Sequence, residues 1–206
     1  MKPISLIAAA FAALVALPVL AEAQAPKGTL VNIRGTVEKL DGQTLMVKSR
    51  DGHEIKVDLA PNFGVLGIVK AKFTDIKQGD FVGVAAAPSK DGKLHAQEVL
   101  IFPEAARGTG EGHYPWDLRG KDDTMTNATV SGVVGAARSH VLQLTYKGGT
   151  QDIAVSSHTP VVTFKPGDTS LLKPGASVFM RATKKPDGTI VAARAIAEQN
   201  GVKPPM

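Results

Sequence analysis

The sequence predicts an all-β chain in two similar halves, on three observations. The first is an internal repeat. Residues from Thr29 to Ile101 and from Thr126 to Ala197 share one register of glycines and apolar residues at an offset of about 97 positions. Gly35 corresponds to Gly132, Leu45 and Val47 to Leu142 and Leu144, Ile55 and Val57 to Ile153 and Val155, Gly79 to Gly175, and Asp91-Gly92 to Asp187-Gly188. The second observation is alternation of apolar and polar residues along short runs, the period of a strand with one face buried and one wet. The third is Gly/Asp punctuation between the runs, which turns the chain back on itself. A unit of this length is too long for a solenoid repeat and suits two copies of a small domain.

In the first copy the expected strands are Gly35 to Leu40, Thr44 to Ser49, His53 to Leu59, Phe81 to Ala86 and Leu94 to Ile101. Asp41-Gly42, Asp51-Gly52 and Asp91-Gly92 separate them. The second copy repeats them as Thr129 to Val134, Val141 to Tyr146, Gln151 to Val155, Ser177 to Thr183 and Thr189 to Ala197. Between the third and fourth runs lie two weakly patterned stretches, Ala60 to Gly79 and Ser156 to Gly175, read as connections. Three strands, a long connection and two more strands is the plan of a small Greek-key barrel of the OB type. Closure also removes exposed sheet edges. The expectation is therefore two tandem OB-like barrels, at 29–106 and 126–198, joined by an aromatic, Gly-rich connector at 107–125. A short arm at 24–28 and a tail at 199–206 complete the chain.

The motifs repeat as well as the spacing. "TLMV" in the second strand, "IKV" in the third, "IKQGDFV" or "LKPGASV" before the fourth, and "DGKLHAQEVLI" or "DGTIVAARAIA" across the last pair occur at matching places. This pattern resembles a bacterial family of exported OB-like domains of unknown function, present as a tandem pair over about seven tenths of the chain. The resemblance implies a fold and no chemistry, because its motifs are turn glycines and core positions. Copy two has Ala176 where copy one has Asp80, so Asp80 is expected to serve its turn alone.

Residues 1–23 read as an export signal. Lys2 precedes an apolar stretch from Ile4 to Leu17, Pro18 breaks it, and Ala21-Glu22-Ala23 is a small-x-small cleavage site. No later segment is long or apolar enough to cross a bilayer as a helix. The expectation is an exported, periplasmic protein that is not an integral membrane protein. The chain has no cysteine, which removes disulfides, thiolate metal sites, a cysteine nucleophile and lipidation at the cleavage site. With one Trp, two Tyr and seven Phe, the cores must be mostly Val, Leu, Ile and Ala.

Charge is mildly basic, 24 Lys+Arg against 19 Asp+Glu, and the excess falls in the second copy. Arg138, Lys147, Arg181, Lys184 and Lys185 form a candidate patch for an anionic polymer. Nucleic acid is disfavoured, since the exposed aromatics on which an OB face stacks bases are not apparent and Phe81, Phe164 and Phe179 alternate as core residues would.

The connector holds the most informative residues. His113-Tyr114-Pro115-Trp116-Asp117 gathers the only tryptophan, one of two tyrosines and a histidine beside a stiffening proline. Trp and Tyr offer large apolar area with a polar edge, which suits a ligand shelf or partner interface, and equally a plug between barrels. His113 and Asp117 could join another histidine as divalent-metal ligands. His53, His95, His140 and His158 lie at turns or polar strand positions with no ligand spacing. Gly108, Gly110 and Gly112 lack the strand and helix that phosphate cradles need, and no cofactor motif is present. Asp122-Asp123 reads as strand initiation, and Asn127-Ala128-Thr129 is a glycan acceptor sequence with no role assigned.

No nucleophile elbow, metalloprotease motif or positioned carboxylate pair occurs, so no enzymatic activity is expected. The leading expectation is an exported, non-enzymatic binding or interaction protein. Its envelope ligand or protein partner would meet His113, Tyr114, Trp116 and Asp117 near the groove between the barrels. The alternatives are a metal-binding or stress-related periplasmic accessory protein and a binder of anionic polymers.

Overall fold

Parallel pairing between strands of the first and second repeat organises the molecule. A computed structural model describes residues 28–117, 120–136 and 139–204. The leader expected at 1–23, most of the arm at 24–28, and Arg138 lie outside the described residues. Twelve strands form one continuous sheet. They are β1 (Thr29–Asp41), β2 (Thr44–Ser49), β3 (Glu54–Lys70), β4 (Phe81–Pro88), β5 (Leu94–Ile101) and β6 (Gly112–Pro115). Then follow β7 (Thr124–Ala136), β8 (Ser139–Tyr146), β9 (Gly149–Ser156), β10 (Val161–Gly167), β11 (Ser177–Lys184) and β12 (Ile190–Glu198).

Five of these close a mixed barrel in the order β12-β11-β1-β2-β3, sealed by parallel pairing of β12 with β3. The other seven lie outside it. The barrel is thus not built from one copy of the repeat, as the division at 29–106 and 126–198 expects. It takes β1, β2 and β3 from the first copy and β11 and β12 from the second. Conversely β4 and β5 of the first copy join β7, β8 and β9 of the second, and β5 meets β9 in parallel at Leu94↔Ile153 and His95↔Ala154.

The exchange is pinned at equivalent points. Gly79 and Gly175 precede β4 and β11 with φ of 94° and 87°, a conformation that favours glycine. Gly79 N donates to Val130 O of the second copy at 2.8 Å, and Gly175 N donates to Val37 O of the first at 2.9 Å. Asp80 closes its turn by accepting from Lys77 N at 2.8 Å.

Each hydrophobic cluster likewise mixes the copies. The barrel is filled by Ile33, Val37, Leu45, Val47 and Val57 with Val178, Met180, Ala182 and Ala195. The outer cluster combines Val82, Val84 and Val99 with Val130, Leu142, Leu144 and Ile153. These are mostly the aliphatic positions that the alternation marks.

The two stretches read as connections each contain strand, Ala60 to Lys70 as the far part of β3 and Val161 to Gly167 as β10, before a short 3-10 turn. β3 runs on to Lys70 and pairs antiparallel with β10, from Val162↔Lys70 to Gly167↔Val65. Pro61, Gly64, Gly67, Pro166 and Gly167 hide both from a pattern search. The structure accommodates Pro61 at an irregularity where β12 passes from Leu59 to Gly64 of β3.

This exchange makes each half dependent on the other. Residues 28–106 and 107–204 produced separately are expected to lack dispersed amide resonances, and mixing them should restore the spectrum of the intact chain. A half that gives a native-like spectrum alone would contradict shared cores.

Candidate functional site

The sheet leaves outward faces that meet each other. A cavity of about 360 Å³ lies between the outer face of the barrel and strands β4, β5, β7 and β10. Its walls include positions equivalent in the two copies, namely Leu100 and Ile196, Gly83 and Phe179, Ala85 and Arg181, and Glu98 and Arg194. Strand parity explains this. Val178, Met180 and Ala182 of β11 fill the barrel, so Phe179 and Arg181 between them point outward. In β4, Val82 and Val84 enter the outer cluster and turn Gly83 and Ala85 to the cavity.

Phe164 and Phe179, expected in the core, are half-buried cavity walls, whereas Phe81 is 2% exposed. Phe102 stands edge-on to Phe164, with ring centroids 5.8 Å apart. Gly83 keeps the wall open, because a Cβ there would come 2.6 Å from Asn127 Oδ1 and 3.0 Å from the Phe102 ring.

The connector closes one side, and buried polar groups at the start of β7 hold it there. β6 pairs antiparallel with β7 from Gly112↔Asn127 to Pro115↔Thr124. His113 Nδ1 lies 2.8 Å from Thr126 Oγ1, and Trp116 N donates to Asp123 O at 2.8 Å. The buried Asp123 accepts from Gly120 N at 2.9 Å and from Gln97 Nε2 at 3.3 Å. Asn127 Nδ2 donates to Thr109 O at 3.1 Å and Tyr114 Oη at 3.2 Å. At 7% exposure inside the sheet, Asn127 is structural rather than a glycan acceptor. Among the described residues its Oδ1 is buried without a hydrogen-bond partner.

Tyr114, Trp116 and Phe179 form an edge-to-face series with centroids 6.2 and 6.1 Å apart, and all three line the cavity. Burial raises the Tyr114 hydroxyl above the ordinary tyrosine range, and the Arg181 charge draws it partly back. Trp116 Nε1 is buried with no hydrogen-bond partner.

Behind this wall the Arg34 guanidinium lies between Trp116 and Phe179, 4.9 and 4.8 Å from their ring centroids. Arg34 is 5% exposed, and its Nη1 donates to Asp117 Oδ2 at 2.9 Å. Asn32 Nδ2 donates to Asp117 Oδ1 at 3.1 Å, and Arg50 Nη2 to the Asp117 carbonyl at 3.3 Å. Burial pushes the Asp117 carboxyl upward, but the hydrogen bond and charge of Arg34 outweigh it and hold the group below its ordinary 3.8.

Tyr114 and Trp116 thus reach the cavity, whereas His113 and Asp117 turn to separate partners. His113 stacks near Tyr146 and Asp117 serves Arg34. No group of three possible metal ligands occurs among the described residues. Of the candidate basic patch, Arg181 lines the cavity. Lys184 ends β11 and Lys185 opens the following turn. Lys147 lies at the β8–β9 turn, its amide donating to Glu111 Oε1 at 3.0 Å.

Phe102, Phe164, Phe179, Leu100, Asn127 and Arg194 escaped sequence reasoning as site residues. For Phe179 and Leu100 a signal existed: large apolar residues in the outward phase of a strand.

Residues 34–99 match the family model described as Domain of unknown function (DUF5666). The match covers most of the first repeat. Comparison with curated proteins and with solved structures returned no match.

The Arg34–Asp117 pair has a defined pH signature. Because the folded carboxyl titrates below its ordinary value, its stabilisation is complete above about pH 4 and is lost as acidity passes through the lowered value. Asp117→Asn should cost roughly 1–2 kcal/mol at pH 7, less than a fully buried pair because the Asp117 side chain is 60% exposed. Urea unfolding followed by Trp116 fluorescence should show the gap between variant and parent shrinking as the pH falls below the ordinary carboxylate range. A gap that does not shrink would rule out the ion pair as its source.

Proposed function

We propose that this chain is an exported, periplasmic, non-enzymatic binding protein whose ligand is a small, largely apolar molecule held against Tyr114 and Trp116. The observation that carries this reading is the roughly 360 Å³ cavity, walled by Leu66, Leu100, Phe102, Phe164, Phe179 and Ile196. Its size falls within the range of small-molecule pockets, and apolar walls with few polar groups are their usual character. Export rests on the leader-like first 23 residues.

In the same reading, β4, β5, β7, β8 and β9 are a second OB-like barrel, the counterpart of the closed one. Its support is that the pairings of β7 with β8, β8 with β9, β7 with β4 and β4 with β5 repeat those of the closed barrel. The cavity then sits on the seam between two exchanged copies, where a duplicated fold offers a two-sided cleft.

The neutral apolar dye N-phenyl-1-naphthylamine tests the binding reading. It should bind with one-to-one stoichiometry and accept energy from Trp116. Ala193 is exposed on the cavity wall, so Ala193→Phe should fill the space without disturbing a core. A loss of at least tenfold in dye affinity is expected. Unchanged binding in that variant would place the dye elsewhere and remove the support for this pocket.

A further inference from the structure

The two copies contribute equivalent positions to the cavity but unlike residues, and the difference is one of charge. Resting on the binding reading above, we infer that the ligand is an amphipathic organic anion. Its apolar body lies along the β4–β5 wall, and its anionic group is held by Arg181 of β11 and Arg194 of β12.

At the positions where the second copy places Arg181 and Arg194, the first has Ala85 and Glu98. Both arginines are exposed at the cavity. Among the described residues neither makes an ion pair or a side-chain hydrogen bond. The pocket's one carboxylate, Glu98, is not a free charge, since it has an interaction of its own. Two guanidiniums against one carboxylate, beside an apolar wall, leave the pocket with an excess of positive charge. A carboxylate or sulfonate meets a guanidinium with charge-assisted hydrogen bonds, stronger than those to a neutral group.

The test uses the intact chain and two probes of one shape in isothermal titration calorimetry, 2-naphthalenemethanol and 2-naphthoate. The naphthoate should bind at least tenfold more tightly than the neutral alcohol at low salt. In Arg181→Gln/Arg194→Gln, whose changes fall on exposed side chains, that ratio should collapse to within about twofold. Equal binding of alcohol and naphthoate in the parent, or a ratio that survives in the double variant, would overturn the anion assignment and leave the binding reading standing. Absence of heat and of any Trp116 response with both probes would overturn both readings.

Discussion

The parallel pairing of β3 with β12 is the contact on which the rest of the architecture depends. Strands that run parallel cannot be joined by a tight turn and need a long crossover between them. Here the crossover is most of the chain. From the end of β3 it passes through the outer strands before β11 and β12 return to close the barrel. Because the closing strands come from the second repeat, the first cannot bury its apolar face alone. The same reasoning places β4 and β5 of the first repeat against β7 of the second. Repetition of sequence thus becomes mutual dependence of structure.

The cavity follows from this exchange. Both exchanged hairpins, β4–β5 and β11–β12, turn their inner faces to a core and their outer faces to the seam. Outer faces of small barrels are ordinarily wet. At the seam they instead carry Phe179, Leu100 and Ile196, which are sheltered by the opposite copy and by the connector. The connector is held by a short set of buried polar groups: Asp123, Thr126 and Asn127 in front, and Arg34 behind. Polar groups are costly to bury unless paired, so those that are paired fix the loop in one position. Asn127 Oδ1, Trp116 Nε1 and Arg34 Nε and Nη2 are buried without a hydrogen-bond partner among the described residues.

Much of the strand content was legible. β2, β5 and β8 lie close to their expected spans, because their alternation is regular and turn residues bound them. β10 and the far half of β3 were not, because glycines and prolines dilute their pattern and their pairing is with each other across the repeat. The connector illustrates a partial reading. An aromatic cluster in a linker marks Tyr114 and Trp116 as important, and both line the cavity. Nothing local distinguishes them from His113 and Asp117, whose partners Thr126 and Arg34 are set by the fold. Phe179 is expected in the core because it alternates as core residues would, yet Val178, Met180 and Ala182 take the inward phase of its strand and turn it outward.

By itself, the sequence determined that this is a β protein with a repeated unit, aliphatic cores and an aromatic connector. Those properties reside in local chemistry: period-two alternation, turn glycines and composition. Which copy's strands close the barrel was decided only in the tertiary structure, since equivalent strands carry nearly the same pattern and either partner satisfies it locally. The choice lies in the path of the long connections and in the β3–β10 pairing they create. That choice brings Phe179, Arg181 and Arg194 to face Gly83, Ala85 and Leu100, which no linear reading of the chain places together.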